Sequence, residues 1–366
     1  MIRKSRDGNH FLDEKKLVLI ASPDNPNINH CSEYVFEHSL STFIFRGIPA
    51  KKTMQILNSL IPIFSVIGLG MILRKCGFLT SESTDAFNRF AYFFALPVFL
   101  FYKLGSAPPV TGLANQFMGT LMAATLFTIA FGWLVTRCMD LPPGSRGALI
   151  QSCFRGNLAF MALPLILFAT YHLPEKHRTE IESAVLIGLP PVVILYNVAS
   201  VAVLAIYNNR KTKKGLWIDV SWKMVTNPLL LACLAGLAMK SSGLAIPTAI
   251  FRTCEVLGAS AFPLALLGIG SQLVVCRVKS QLASSMVSTA IKCVICPLFG
   301  YFVALNFGLS GPELQVVLIL CAVPTAVSSF VLADQMNSDS ELAASSVVIC
   351  TACSLATLSG LLWLTG

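Results

Sequence analysis

Residues 151–164 read QSCFRGNLAFMALP, and this stretch lies inside a long apolar segment of the chain. Gly156 has no side chain to pack, and Pro164 lacks a backbone N–H and clashes with the carbonyl four residues earlier. The side chain of Asn157 can take over hydrogen bonds that an interrupted backbone leaves free. A second stretch of this kind, residues 321–329, reads CAVPTAVSS. Both stretches therefore predict helices that are interrupted in the middle.

The two stretches occupy equivalent places in two similar halves of the chain. Pro97 and Pro263 lie in similar apolar runs and are 166 positions apart, and Asn157 and Pro324 are 167 positions apart. Because each half holds five apolar segments, an odd number, the second half is predicted to be inverted relative to the first. A lone proline is more typical of a packing kink. Considered one at a time, four prolines are therefore interpreted as packing kinks, namely Pro97, Pro190, Pro263 and Pro297.

The composition excludes a water-soluble protein. The chain has 366 residues, of which 55% are hydrophobic and 12% are charged, and its mean hydropathy is +0.70. Soluble domains average about 45–50% apolar and about 25% charged residues. Fourteen of the 45 charged residues fall within residues 1–53, which leaves 31 for the other 313. A membrane protein with several spans fits this distribution, whereas soluble enzymes, nucleic-acid binders and disordered proteins do not.

Ten segments are long enough to cross a hydrocarbon layer of about 30 Å, which takes about 20 helical residues. They are predicted at 54–73, 85–104, 115–136, 145–170, 182–207, 222–239, 247–273, 281–305, 312–333 and 342–365. The predicted domains are a polar extension (1–53), a first five-helix repeat (54–209), a linker (210–221) and a second five-helix repeat (222–366). The extension has no signal-peptide pattern, and a start codon assigned too far upstream is preferred to a disordered extension.

Basic residues are unevenly shared between alternate connections. The connections after spans one, three, five, seven and nine hold ten Lys and Arg residues, whereas the opposite connections hold four. By the positive-inside rule, the odd-numbered connections face the cytoplasm and both ends of the ten-span core lie outside. The predicted location is the inner cell membrane. Arg46, Lys51 and Lys52, directly before span one, do not fit this pattern.

Two broken helices that meet in the membrane predict a site for an anion. Each half-helix N-terminus carries about half a positive charge, and interrupted backbone is tolerated at membrane depth only beside protein or a watery cavity. Arg155 directly precedes the first break and either binds a carboxylate or caps exposed carbonyls. Lys292 in span eight either balances the charge of the substrate or pairs with an acid. Arg252 and Glu255, one turn apart, are predicted to pair with each other.

Several blocks of sequence, in a fixed order, carry a resemblance to a known family. They are Asn88–Phe90 with Ala95–Pro97, Phe154–Asn157 with Leu163–Leu165, Asn227 and Pro228 with Gly236, Pro263–Gly270, and Ala322–Pro324 with Phe330–Ala333 and Glu341–Ala343. In these blocks the chain resembles the auxin efflux carrier family of membrane transporters, whose bacterial members are described as carriers of malonate and other organic acids. The resemblance covers residues 54–366.

The resemblance implies an all-α membrane protein of ten helices in two inverted five-helix repeats. Spans four and nine are then broken helices that cross, as in sodium-proton antiporters and bile-acid symporters. It also implies a scaffold, a part that carries the substrate by an elevator-like shift, and substrates with carboxylates. The residues carried over as substrate-binding are Asn157, Pro164, Asn227 and Pro324, and the charge and break arguments add Arg155, Gly156 and Lys292. The expected partners are a small organic anion and membrane lipids, and no nucleic acid is expected. Whether the chain forms a homodimer is left open.

The sequence thus predicts a secondary transporter that moves a small organic anion, such as malonate or an auxin-like acid, by alternating access. The alternative is a sodium- or proton-coupled carrier of the bile-acid symporter type, which requires clustered acids at the crossing. A membrane enzyme requires a Ser/His, paired-Asp or His/Glu constellation at membrane depth, but only His172 and His177 follow the extension, in one loop. The CxxC pairs Cys293/Cys296 and Cys350/Cys353 lie in apolar runs, so no metal or cofactor is predicted.

Overall fold

The computed structural model describes residues 50–107, 112–207, 226–243, 247–276 and 281–365. The predicted linker 210–221 and the predicted extension up to residue 49 lie outside the described residues. Every regular element in the described part of the chain is a helix, so the predicted all-α class is confirmed. The helices are α1 (Ala50–Lys75), α2 (Ser81–Phe90), α3 (Leu96–Gly105), α4 (Leu113–Arg137), α5 (Pro143–Phe154), α6 (Leu158–Ala169), α7 (Glu175–Tyr207), α8 (Pro228–Ser241), α9 (Thr248–Val275), α10 (Leu282–Asn306), α11 (Gly311–Ala322), α12 (Ser328–Gln335) and α13 (Ser340–Thr365).

Six of the described helices are long and apolar enough to cross a membrane. They are α1, α4, α7, α9, α10 and α13, and each coincides with one predicted span. Span two is continuously helical, because the π-turn Ala91–Ala95 joins α2 to α3. Spans four and nine are each built from two helices separated by non-helical residues, and span six begins outside the described residues and continues as α8. Large apolar side chains on the outer surface are exposed, as lipid contact requires, including Phe94, Leu126, Val256 and Phe302.

Three π-turns precede prolines at the same distance. They comprise Ala91–Ala95 between α2 and α3, Leu158–Ala162 at the start of α6, and Ile291–Ile295 within α10. In each case a proline follows the last π residue by two positions, at Pro97, Pro164 and Pro297. A π-turn widens the helix by one residue, which relieves the clash between a proline ring and the carbonyl four residues earlier. The kinks predicted at Pro97 and Pro297 are therefore π-turns.

The helices pack in two groups. The first group contains α1, α2, α3, α8 and α9, in which α8 and α9 both pack on α3, and α9 also packs on α2. The second group contains α4 to α7 and α10 to α13, in which α4, α5 and α7 pack together and α10 packs on α4, α11 and α13. Glycines let α1 and α9 approach closely, because a Cβ at Gly70 would lie 2.4 Å from the Leu267 oxygen and one at Gly270 would lie 2.0 Å from the Ile67 oxygen.

The connections between helices meet at two ends of the bundle. At one end, Ser145 Oγ donates to Asp339 Oδ2 at 2.5 Å and Ser338 Oγ donates to the Gly144 oxygen at 2.8 Å. We call this the basic end, because Arg74 and Arg146 of the described connections lie there. At the opposite end, His177 contacts Glu313 at 3.2 Å.

The predicted ion pair between Arg252 and Glu255 is wrong. Both residues lie on the exposed face of α9, and none of the ion pairs in the described part of the chain joins them. An exposed pair of this kind gains little from Coulomb attraction, because water screens the charges and both side chains lose rotamer freedom.

Candidate functional site

The first predicted break lies between α5 and α6. Helix α5 ends at Phe154, and Arg155 (φ −75°, ψ 82°) and Asn157 (φ −81°, ψ 69°) both have non-helical backbone conformations. Asn157 then caps α6, because its Oδ1 accepts a hydrogen bond from the N–H of Phe160 at 3.3 Å. The sequence prediction of an interrupted helix is confirmed here.

The second predicted break lies between α11 and α12. Helix α11 ends at Ala322, Val323 is extended (φ −55°, ψ 142°), and α12 begins at Ser328. The residues between the two helices, 323–327, are all buried. Since no lipid or water reaches this backbone, its polar groups must find partners within the protein.

The two breaks supply those partners by crossing each other. The N–H of Asn157 donates to the Pro324 oxygen at 2.9 Å, and the N–H of Ala326 donates to the Arg155 oxygen at 2.8 Å. These two bonds form a short antiparallel bridge between Gly156 and Thr325. The breaks therefore hold each other in place with backbone hydrogen bonds.

Thr325 adds a side-chain bond to this crossing. Its Oγ1 donates to the Ser152 oxygen at 2.8 Å. Ser152 lies in the last turn of α5, and the N–H four residues later, that of Gly156, is bonded elsewhere, to the Phe154 oxygen. The threonine hydroxyl thus satisfies a carbonyl that the end of α5 leaves open. The N–H of Thr325 in turn donates to the sulfur of Cys350 on α13 at 3.3 Å.

At the other break, Lys292 satisfies a carbonyl that the end of α11 leaves open, that of Cys321. Its side chain is completely buried in the π-turn of α10, and its amine donates to the Cys321 oxygen in the last turn of α11. A cation at a helix C-terminus is attracted to the negative end of the helix dipole. The amine also packs on the first break, because a Cβ at Gly156 would lie 3.2 Å from Lys292 Nζ. Only glycine fits there without displacing the lysine.

Arg155 points away from the crossing bonds and toward α7. Its Nη2 donates to Asn197 Oδ1 at 3.0 Å. Its Nη1 is enclosed by protein and has no hydrogen-bond partner in the described part of the chain. Capping of helix carbonyls, one of the two roles considered for Arg155, is carried out instead by Lys292 and Thr325. The guanidinium keeps a free donor for another acceptor.

Asn227 lies beside the first break, across a small cavity. Its Oδ1 accepts hydrogen bonds from the N–H groups of Leu229 at 2.9 Å and Leu230 at 3.4 Å and so caps α8. The cavity is mostly apolar, has a volume of about 30 Å³, and is also lined by Leu158 and Ala159 from the first turn of α6.

The structure brings together five of the seven predicted site residues. Arg155, Gly156, Asn157, Pro324 and Lys292 all lie in the crossing. Asn227 reaches the first turn of α6 from the other helix group. Pro164 lies further along α6, where it is buried behind the π-turn and shapes the path of the helix.

Two residues of the crossing were not predicted from the sequence. Thr325 directly follows Pro324. Because a hydroxyl beside an interrupted helix can bond to open backbone groups, its role could have been predicted from the sequence. Asn197, which holds Arg155, lies among apolar residues of α7 and gives no such signal.

The two CxxC motifs approach each other in the structure. Cys293 and Cys350, one from each motif, approach to 3.3 Å between their sulfurs. The described residues contain no group of three or more His, Cys, Asp or Glu side chains placed to hold a metal ion.

The interface between the two helix groups differs at its two ends. At the basic end it contains a cavity of about 420 Å³, whose lining includes Arg74, Thr84 and Ser271 of the first group and Phe330 and Glu341 of the second. At the opposite end an ion pair joins the groups, with Lys103 Nζ of α3 3.3 Å from Glu182 Oε2 of α7. A cavity thus lies between the groups at one end, and an ion pair joins them at the other.

Comparisons with known proteins identify the family of this chain. Residues 55–362 match the family described as "Membrane transport protein". A protein of Rhizobium meliloti (strain 1021) named "Putative malonate transporter" is 26% identical over 323 residues, which is 85% of this chain and 96% of that relative. The matched region includes the crossing and both helix groups. The chain therefore belongs to the membrane transport protein family, that of the auxin efflux carriers, and it is a transporter rather than an enzyme.

Proposed function

We propose that this chain is a secondary transporter that moves a small organic anion, with malonate as the type, across the inner cell membrane. The observation that carries the proposal is the free Nη1 of Arg155, enclosed at the first break. A buried donor without an acceptor costs about 1–3 kcal/mol, and more for a charged group. A carboxylate oxygen supplies that acceptor and forms a strong charge-assisted hydrogen bond.

The surroundings of Arg155 support a negatively charged ligand. The first turn of α6 begins three residues later, and the N-terminal end of a helix attracts anions. None of the residues that form the crossing is acidic, whereas Lys292 adds a second buried positive charge. The name of the Rhizobium relative supports a short dicarboxylate as the substrate.

An elevator-like movement of the second helix group against the first accounts for transport. Arg155, Asn157 and Lys292 belong to the second group, whereas Asn227 belongs to the first. The cavity at the basic end and the Lys103–Glu182 ion pair at the other end correspond to a state open on one side. Breaking this ion pair and closing the cavity would expose the site to the opposite side.

The proposed topology has ten crossing segments in two inverted repeats, with the basic end in the cytoplasm. The crossing of the two breaks supports it, because the breaks occupy equivalent positions in the two halves. The excess of Lys and Arg in the connections at the basic end supports the orientation. The exposed apolar side chains then face lipid.

A sodium- or proton-coupled carrier of the bile-acid symporter type is the alternative. It requires acidic side chains at the crossing, to bind the cation or to carry the proton. The acids with contacts in the described part of the chain, such as Glu182, Glu313 and Asp339, lie at the ends of the bundle. The neutral and basic character of the crossing therefore favours the simple organic-anion carrier.

Uptake by the full-length protein in proteoliposomes tests the proposal. Acetate, malonate, succinate and an indole carboxylate are offered in turn, with imposed proton, sodium or voltage gradients. We expect malonate counterflow by the wild type and at least tenfold slower counterflow by Arg155→Gln. The control is Arg137→Gln, since Arg137 stacks on Trp133 at the end of α4, outside the crossing. Failure to move any carboxylate, or unchanged transport by Arg155→Gln, contradicts the proposal.

A further inference from the structure

Four buried polar atoms at α5 and α7 lack a hydrogen-bond partner within the described part of the chain. They are Nε2 and Oε1 of Gln151, Nη1 of Arg155 and Oγ of Ser200. Gln151 and Ser200 are completely buried. Folded proteins pair nearly all of their buried polar groups, with protein or with ordered water. These atoms therefore point to a polar ligand or to internal water.

Gln151 and Arg155 lie on the same face at the end of α5. The N–H of Arg155 donates to the Gln151 oxygen at 3.1 Å, as in an α-helix, and the φ of Arg155, −75°, is also helical. The backbone departs from the helix only at ψ, after the side chain has branched off. The Cβ atoms of the two residues are therefore one helical turn apart, at about 5–6 Å.

This face of α5 is turned toward α7. One turn before Gln151, a Cβ at Gly147 would lie 3.5 Å from the Cα of Leu204. One turn after it, Arg155 Nη2 donates to Asn197 Oδ1 at 3.0 Å. Gln151 lies between these two contacts on the same side of its helix, so its side chain faces α7 as well.

Ser200 occupies the facing position on α7. It lies three residues after Asn197 and four before Leu204, so these three residues share one face of their helix. Because the contacts of Asn197 and Leu204 lie one turn to either side of Gln151, Ser200 and Gln151 are level with each other. Gln151, Ser200 and Arg155 therefore form one enclosed group of polar side chains, which we call the α5–α7 cluster.

The α5–α7 cluster offers donors, one charge and an amide acceptor. Arg155 Nη1 and Gln151 Nε2 donate, the Ser200 hydroxyl donates or accepts, and Gln151 Oε1 only accepts. An ionised carboxylate has no proton to give to Oε1. A protonated carboxyl group presents an O–H and a C=O side by side, which matches the N–H and C=O of a carboxamide. A metal cation would suit the oxygens but is repelled by the guanidinium.

Burial also favours a ligand with a single negative charge. Arg155 carries the one charge of the α5–α7 cluster, and a second buried charge on the ligand would be costly without its own counter-ion. The nearby cation Lys292 donates instead to the Cys321 oxygen. One carboxylate and one protonated carboxyl group therefore fit the α5–α7 cluster better than two carboxylates.

We propose that the site takes malonate as its monoanion, with the carboxylate on Arg155 and the protonated carboxyl group on the amide of Gln151. This assignment deepens the proposed function and rests on it. Gln151 Nε2 donates to the carboxyl C=O, and the carboxyl O–H donates to Oε1. One methylene joins the two carboxyl groups of malonate, so a single molecule reaches both side chains. The proton travels on the substrate, and the crossing needs no acidic side chain to carry it.

The pH dependence that follows belongs to the substrate. The ionisable side chains described around the end of α5 are Arg155, Tyr196 of α7, Lys292 of α10 and the thiols of Cys153, Cys321 and Cys350. Arginine, lysine, tyrosine and cysteine ordinarily have pKa values above neutral pH. The acids of α12 and α13, Asp334 and Glu341, are exposed toward the basic end. Between weakly acidic and neutral pH, the second carboxyl group of malonate is thus the group that titrates in the site.

Counterflow of radiolabelled malonate by the full-length protein in proteoliposomes tests the assignment, at equal pH on both sides. The KM for total malonate should rise about tenfold for each pH unit above the second pKa of malonate, because the monoanion becomes scarcer in that proportion. Malonamate, with a carboxamide in place of the protonated carboxyl group, should inhibit equally well at every pH. Monomethyl malonate lacks that donor and should inhibit at least tenfold less well.

Gln151→Leu removes the amide and keeps the approximate size of the side chain. We expect the KM for malonate at weakly acidic pH to rise about tenfold, which equals about 1.4 kcal/mol, and the preference for malonamate over monomethyl malonate to disappear. The thermal midpoint without ligand should not fall, because the amide has no partner to lose. Gln315→Leu is the matched control: Gln315 is buried in the first half of α11, before the crossing, and its Nε2 also lacks a partner among the described residues.

The outcomes separate this assignment from the proposed function. An unchanged KM and inhibitor preference in Gln151→Leu would mean that the α5–α7 cluster holds internal water only, and would overturn the assignment. So would a KM that does not change with pH in the wild type, or equal effects of Gln315→Leu. Malonate transport by the wild type would still support the proposed function in those cases. If the wild type neither binds nor moves any carboxylate, both fail together.

Discussion

The two breaks follow the same plan but differ in what surrounds them. The break before α6 contains Arg155, whose Nη1 has no partner in the described part of the chain, and it caps its own helix through Asn157. The break before α12 contains no charged residue, has no side-chain cap on its helix, and is buried throughout. We therefore propose that the first break contacts the ligand while the second holds the first in position.

The ends of α5 and α11 repeat this contrast. The open carbonyl of Ser152 is satisfied by the neutral hydroxyl of Thr325, which comes from the opposite break. The open carbonyl of Cys321 is satisfied by the charged amine of Lys292, which comes from a neighbouring helix. Positive charge is therefore concentrated where both breaks meet, although the second break contributes none of it.

Gly156→Ala should have the largest effect, because it disturbs both breaks at once. The added Cβ would lie 3.1 Å from Lys292 Cε and 3.3 Å from Val323 Cγ2, and both neighbours are fully buried. We expect a loss of about 1–3 kcal/mol in stability, as for other overpacked cores, together with loss of transport. The thermal midpoint in detergent and malonate counterflow measure the two effects.

Gly68→Ala is the control for that substitution, because no atom lies within 4 Å of a Cβ at Gly68. It should leave both quantities unchanged. If Gly156→Ala behaves like Gly68→Ala, the two breaks are not packed as tightly as the contrast requires.

Thr325→Val tests the supporting role of the second break. Valine keeps the shape of threonine but leaves the Ser152 carbonyl without a donor, which costs about 1–2 kcal/mol. We expect a lower thermal midpoint and a modest loss of transport rate, with the KM for malonate nearly unchanged. Thr128→Val is the comparison, since that buried hydroxyl bonds only to carbonyls of its own helix. A large change of KM in Thr325→Val would instead place the second break in contact with the ligand.

Asn157→Asp tests the ligand-facing role of the first break. Aspartate caps a helix as well as asparagine does, so the thermal midpoint should stay close to that of the wild type. Its negative charge would compete with the substrate for Arg155, and we expect the KM for malonate to rise about tenfold, which is 1.4 kcal/mol. Asn157→Ser keeps a neutral cap and should retain a KM near the wild-type value. Equal KM values for the two variants would argue against an anion at this break.

Cys350→Ser should have the smallest effect. The sulfur accepts a hydrogen bond from the N–H of Thr325 at 3.3 Å, and a serine oxygen can accept the same bond. We expect a change in stability of less than about 0.5 kcal/mol and normal transport. A strong loss of transport would show that the second break depends on the thiol itself. It would argue against the view that the backbone geometry of the second break is enough to support the first.

The sequence was informative where local chemistry decides the structure. Gly156, Asn157 and Pro324 interrupt a helix through their own backbone and side-chain properties, so both breaks could be predicted. The partners of Lys292 and Arg155 could not be predicted, because they depend on how α10 and α7 pack against the broken helices. For Lys292 the sequence offered a substrate or an acid as partner, whereas the structure gives the carbonyl of Cys321.

The spans show a similar limit. Hydropathy identified the apolar segments, but it does not distinguish one long helix from two short ones, as spans four and nine show.

The π-turns before Pro97, Pro164 and Pro297 also affect how this chain should be aligned with its relatives. Each wide turn holds one residue more than an α-helical turn, which rotates all following side chains by about 100°. A helical wheel drawn through the whole of α10 would therefore misplace the side chains after Cys296 by about 100°. A single-residue gap at these turns in a relative without the proline would be a real change of register rather than an alignment artefact.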